Sequence, residues 1–239
     1  MFRASTIVLR LLLPIALAQP ACGKEATAAT AASDPIPVDL GTVEAAAEGL
    51  FDGALADDKA KVASSSKQIA DALAAYRGHA AKDGVSVAVL ADLETAASTV
   101  TGLVQKGSTG VELARAGNAI SAPMSKIYGV YGPPLPVVML DLDYLGREVL
   151  LDAREKSFAR AGTDADRIVA IWAPFRPRLV AAGGIAVAAD YEGAVANAKK
   201  AIAAADPVAI EAAAKAGLDH VDAMENVFKN QPPPADPGD

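Results

Sequence analysis

The side chains best suited to metal chemistry lie near the C-terminal end of the chain. His220 and Met224 are four apart, so a helix would put them on one face, with Asp219, Asp222 and Glu225 alongside. Imidazole with thioether suits copper(I), and imidazole with carboxylate suits zinc or copper(II). The same spacing also describes a core methionine with a histidine at its edge. A second concentration of ionisable groups is Asp141, Asp143, Glu148 and Asp152, interleaved with Arg147 and Arg154. Paired carboxylates do acid–base work only when unequal surroundings separate their pKa values; arginines at helical spacing among them predict surface ion pairs instead. Trp172 and Arg176, with Phe175 and Arg178, read either as a ligand or partner patch or as a tryptophan filling a bundle core. His79 follows Gly78 at a predicted helix end, where a cation meets the negative pole of the helix dipole. The chain has two histidines, no Gly-x-Ser-x-Gly elbow, no phosphate-cradling glycine loop and no haem-attachment motif, and no catalytic residue is assigned.

Helices must position these groups. Alanine, the best helix former, dominates the composition, and no stretch alternates convincingly as a strand. Val137–Leu140 has the length of a strand but would have no partner. Apolar stripes predict eight helical segments. The first covers 42–56, with Val43, Ala47, Leu50 and Ala54. The second follows Asp57-Asp58, whose side chains suit a helix start, and carries Val62, Ile69, Leu73 and Tyr76. The third follows Asp83-Gly84 and carries Val89, Leu93, Val100 and Val104. After a turn at Lys106–Gly110, the fourth places Leu113, Ile120 and Ile127 seven apart, with Pro123 as a kink.

Tyr131-Gly132-Pro133-Pro134-Leu135-Pro136 is the strongest internal break. Beyond it come segments at about 138–160, 164–182 (bent or interrupted at Pro174 and Pro177) and 186–204, then a last one from Asp206-Pro207, proline being favoured in a first turn. Ala54-Leu55-Ala56-Asp57-Asp58 and Ala203-Ala204-Ala205-Asp206-Pro207 hint at a repeated hairpin. The fold class expected is all-α: antiparallel hairpins forming two four-helix bundles, over 41–132 and 137–230, or one eight-helix array.

Cys22, the only cysteine, ends an N-terminal stretch unlike the rest. Arg3 and Arg10 precede the apolar run Leu11–Ala18, the order of a bacterial export signal over residues 1–21. The run is far shorter than the roughly 20 residues of a membrane span. Gln19-Pro20-Ala21-Cys22 resembles the lipobox of bacterial lipoproteins. That resemblance implies diacylglyceryl attachment at Cys22, cleavage before it, and anchoring in the bilayer on the periplasmic side. Gly23 points to the outer membrane. The alternative is cleavage after Ala18, leaving a soluble periplasmic protein. Residues 22–40, rich in Ala, Thr, Ser, Asp and Pro, read as a disordered tether, and the proline-rich 231–239 as a disordered tail.

A formal charge of -7 makes nucleic acid an unfavourable partner, and 5% aromatic residues argue against a sugar-stacking platform. Residues 43–131, from Gly53-Ala54-Leu55-Ala56-Asp57-Asp58 to Ile127-Tyr128-Gly129, resemble an uncharacterised periplasmic helical domain found alone and appended to heavy-metal efflux adaptors. The functional expectation is a non-enzymatic exported lipoprotein, a tethered helical bundle that binds or scaffolds an envelope protein or other partner. The alternative is a periplasmic metal-binding or metal-resistance accessory, with copper or zinc at His220 and Met224.

Overall fold

In a computed structural model of the chain, residues 36–133 and 135–230 are described. Cys22, the leader, most of the tether and the tail lie outside them. The described residues are all-α, with nine helices and no strand: α1 (Val38–Leu55), α2 (Lys59–Ala80), α3 (Val87–Gln105), α4 (Gly110–Ser121), α5 (Met124–Tyr131), α6 (Val138–Arg154), α7 (Phe158–Ala181), α8 (Ile185–Ala203) and α9 (Pro207–Lys229). Each of α1 to α4 packs on the next, and α4 returns to pack on α1. The helices α6 to α9 close in the same way through α6 and α9. Both α4 and α5 pack on α6, and one core of buried residues runs through both rings.

Two glycines allow the ring-closing contacts. A methyl group on Gly117 of α4 would stand 2.7 Å from Leu50 Cδ2 and 3.4 Å from the Ala47 carbonyl of α1. A methyl on Gly146 of α6 would stand 2.8 Å from Leu218 Cδ2 of α9. Small residues at these crossings let the helix axes approach closely.

Six of the helix connections share one design; after α2 and α7 Val85 N–H donates to Ala80 O (3.1 Å) and Gly184 N–H to Leu179 O (3.0 Å), about the left-handed Gly84 and Gly183. After α1, α3, α6 and α8 the chain closes a Schellman turn: Asp58 N–H donates to Gly53 O (2.8 Å), Ser108 to Leu103 (3.0 Å), Ser157 to Asp152 (2.8 Å) and Asp206 to Ala201 (3.0 Å). Each turn needs a left-handed residue, supplied by Asp57 (φ 53°), Gly107 (φ 74°), Lys156 (φ 57°) and Ala205 (φ 52°). Asp58 and Asp206 then cap the next helix, Asp58 Oδ1 accepting from Lys61 N–H and Asp206 Oδ1 from Val208 and Ala209 N–H. The hairpin likeness between residues 54–58 and 203–207 is therefore a likeness of geometry. Because successive helices run antiparallel, the four turns after α1, α3, α6 and α8 lie at one end of the molecule, called here the far end.

Several expected boundaries move. The first helix starts at Val38, so residues 38–40 leave the expected tether: Pro37 sits at the N-cap, Asp39 suits the first turn, and Leu40 is fully buried beside Val43. Pro123 ends α4 and starts α5 rather than kinking one helix, which makes nine helices of the expected eight. The turn before α7 falls at Glu155–Ser157, not near Gly162, which lies inside the helix. Helix α7 runs through Pro174 and Pro177. Both prolines are on its exposed side, where the carbonyls they leave unpaired meet water.

Candidate functional site

The other end of the molecule, the near end, adds further parts to its turns. The start of α1, the turn from α2 to α3, the length of α5, Leu135–Val137, the turn from α7 to α8 and the last turns of α9 all meet there. Tyr131 of α5 donates to Asp83 between α2 and α3 (2.9 Å) and pairs with Tyr76 (3.1 Å). Tyr128 donates to Glu44 of α1 (2.6 Å). Phe228 of α9 stacks on Phe175 of α7 at 6.0 Å and lies under the Arg178 guanidinium at 5.6 Å.

Between these parts lies a groove of about 270 Å³, walled by Ile36, Tyr128, Leu135, Met139 and Leu140, with Glu44 and Glu225 on its lining. The wall is apolar apart from the two carboxylates and the tyrosine hydroxyl. Below the carboxylates sits a wider acidic set, Glu48 on α1, Asp143 on α6 and Asp222 on α9, facing one buried cation. That cation is Arg147, which pairs with Asp143 and with Glu48 (2.8 Å) and lies over the Phe51 ring. Lys229 pairs with Glu225 from the exposed side (2.6 Å). Burial is the main influence on these carboxyl groups, and neighbouring carboxylates add to it. Burial, opposed by Arg147 and reinforced by Glu48 and Asp222, pushes Asp143 up to about 7. Burial raises Glu44 as well, although the Tyr128 hydrogen bond works against it. An apolar trough with surplus carboxylate suits a ligand that carries a cation on an apolar body.

Toward the far end a second interior cluster is closer to balance. Arg115 of α4 pairs with Glu148, Asp152 (2.7 Å) and Glu155 (3.1 Å), and Arg160 of α7 reaches Asp152 (3.1 Å) and Glu155. Asn118 donates to Glu148 (2.8 Å) and to the Tyr144 carbonyl (3.1 Å). Asp152 is fully buried, and burial raises both it and Glu148 against the pull of Arg115. Arg115 Nε, Asn118 Oδ1 and Asp152 Oδ2 are buried with no protein partner. These side chains tie α4, α6 and α7 together and line neither groove described here. The far-end hollow, about 240 Å³ between the α1–α2 and α3–α4 turns, presents Asp57 and Lys59, charges of opposite sign.

The structure redistributes the residues singled out from sequence. Glu148 and Asp152 are interior, correcting the expectation of surface ion pairs; their partner Arg115 is remote in sequence. Asp141 accepts from Ser125 (2.6 Å), and Arg154 makes a two-pronged pair with Glu211 of α9. Trp172 is a core residue: it lies 4.7 Å from Tyr191 and 5.9 Å edge-on to Phe175, and its indole N–H and Arg176 both donate to Glu192. Met224 is fully buried in the core while His220 is half-exposed. No three His, Cys, Asp or Glu gather into a metal-holding group among the described residues. His79 is exposed in the last turn of α2, placed to favour the helix dipole. The groove residues Glu44, Tyr128 and Leu135 escaped sequence reasoning, since each reads as an ordinary member of an apolar or polar face. Compared with protein-family models, with curated proteins and with solved structures, the chain matches none.

Proposed function

We propose that the protein is a non-enzymatic exported lipoprotein, moored at Cys22 to the periplasmic side of the envelope, whose helical body is a binding module. The observation that carries this reading is the groove at the near end. Helix α1, the first helix after Cys22 in the sequence, starts at the near end, and Ile36 just before it is a wall of that groove. A module tethered through the residues before α1 would be held from the end that carries its binding face. The groove's apolar wall and the carboxylates of Glu44 and Glu225 favour an apolar ligand bearing a positive charge, by burial of apolar area and by charge complementarity. The interior ion pairs supply ties between helices, a structural use of charged groups.

Radiolabelled palmitate incorporation tests the anchor. The expected result is label on the parent chain, none on Cys22→Ser, and release of Cys22→Ser from membranes with its helical content unchanged. An unlabelled parent chain found wholly soluble would overturn the reading.

A further inference from the structure

The exposed aliphatic side chains are distributed unevenly between the two ends. Val38 is 84% exposed, Val87 84%, Ile185 65% and Val130 42%, and all four are near-end residues: the first residues of α1, α3 and α8, and the last turn of α5. The far end has one counterpart, Val208, at 78%, and Val169, at 40%, lies midway along α7 between the ends. Helix α3 adds to the imbalance. It begins Val87-Ala88-Val89-Leu90, is little buried, and is the one helix among the described residues long and apolar enough to cross a membrane by length and composition. These residues lie at the same end of the molecule as the groove and make up its apolar rim.

We infer that this end rests on a lipid bilayer, and that the ligand of the groove is an aminophospholipid of that bilayer: aliphatic rim in the interface, acyl chain along Ile36, Leu135 and Leu140, amine at Glu44 and Glu225. The inference deepens the binding-module reading and rests on it for the side of the body that the anchor holds down. Three observations choose this occupant. Helix α1, the first after the acylation site in the sequence, starts at this end. Isolated valines and an isoleucine, without a deep pocket for each, match a fluid apolar partner better than a shaped protein surface. The surplus carboxylates and the net charge of -7 repel anionic headgroups, whereas an ethanolamine headgroup offers a cation to the lip.

The test uses residues 33–239, which form one compact unit without the leader and without Cys22, so it does not depend on acylation. The protein is co-floated with vesicles of phosphatidylcholine containing either phosphatidylethanolamine or phosphatidylglycerol. Binding is expected with ethanolamine lipid and is weaker with glycerol lipid. Val38→Asp/Val87→Asp/Ile185→Asp should lower the partition coefficient by at least about tenfold, because three apolar side chains leave the interface. Val208→Asp should leave it unchanged. Glu44→Gln/Glu225→Gln should remove the headgroup preference while vesicle binding persists. Helical content by circular dichroism accompanies each variant. Independently, an environment-sensitive fluorophore on Val87→Cys should brighten and shift to the blue with vesicles, and one on Val208→Cys should not. No flotation with either vesicle, undiminished binding of the folded triple variant, or a response at position 208 instead of 87 would overturn the inference. Palmitate labelling of Cys22 stands or falls separately.

Discussion

The two ends of this molecule solve the same problem, reversing a chain between packed helices, with different residues. The four far-end turns share one hydrogen-bond pattern with the near-end turns after α2 and α7, but three of the far-end left-handed positions carry a side chain: Asp57, Lys156 and Ala205. At the near end the left-handed positions are Gly84, Gly132 and Gly183. The far-end ion cluster sets two arginines among three carboxylates. The near-end cluster sets Arg147, with Lys229 at its exposed edge, among five. One end is close to electrically balanced; the other is apolar at its rim and acidic in its lip. Both ends tie helices together, but the near end alone combines an apolar rim with an acidic groove suited to contact with something outside.

The contrast breaks most visibly if the ties are cut. Arg115→Met leaves the interior Glu148 without its cation and the fully buried Asp152 with Arg160 alone, and urea unfolding should show a loss of about 3–5 kcal/mol. Arg147→Met should cost only about 1–2 kcal/mol, because Asp143, already pushed up to about 7, takes a proton when its partner goes. Equal losses would show that the two clusters are energetically alike, against the reading above. The pH dependence sharpens the point. Asp143 holds its proton more tightly folded than unfolded, so its folded pKa lies above its unfolded one. Its contribution is then unfavourable wherever it is ionised: stability should fall as pH rises from about 5 to 8, by about 2 kcal/mol from this group. Asp143→Asn should flatten that slope in denaturation curves measured at both pH values.

The helical architecture was legible because its signals are local: stripes at helical spacing, Asp57-Asp58 and Asp206-Pro207 at helix starts, prolines at the central break. What escaped depends on partners far apart in the chain. Asp152 looks like a surface residue until Arg115 is brought beside it from another helix. Glu148 looks like one until Asn118 and Arg115 enclose it. Trp172 was open between patch and core because only Tyr191 and Phe175, once packed on it, decide the matter. A boundary slipped where a left-handed residue carried a side chain, as at Lys156, so that the expected break at 160–164 falls inside α7. The groove was illegible throughout, being walled by residues from α1, α5, α6, α9 and a loop.

Packing between the ends offers a smaller perturbation. Gly117→Ala gains helix propensity but drives its methyl into Leu50, itself fully buried, and toward the Ala47 carbonyl. The net expected loss is about 1–2 kcal/mol by chemical denaturation, and a neutral result would mean that α1 and α4 can separate freely. Removing a far-end cap, Asp206→Ala, leaves the Val208 and Ala209 N–H groups to water and should cost about 1 kcal/mol in the same assay.

The smallest effect tests the comparison from the opposite side, by improving the far end. Ala205 occupies a left-handed backbone conformation at φ 52°, where its Cβ crowds the following carbonyl, a strain of roughly 1–2 kcal/mol for an ordinary residue. The Schellman turn fixes that conformation through the Asp206-to-Ala201 hydrogen bond, so Ala205 cannot relax without losing the turn and the capping aspartate after it. Glycine at this position would relieve the crowding, offset by its greater freedom in the unfolded chain. Ala205→Gly is therefore expected to raise stability by about 0.5–1 kcal/mol, measured as a higher urea midpoint at unchanged slope. The reverse substitution at the near end, Gly183→Ala at φ 88°, should lower the midpoint instead. If Ala205→Gly destabilised the protein, its turn would not be held in the left-handed form, and the far end would lose the feature that sets its turns apart.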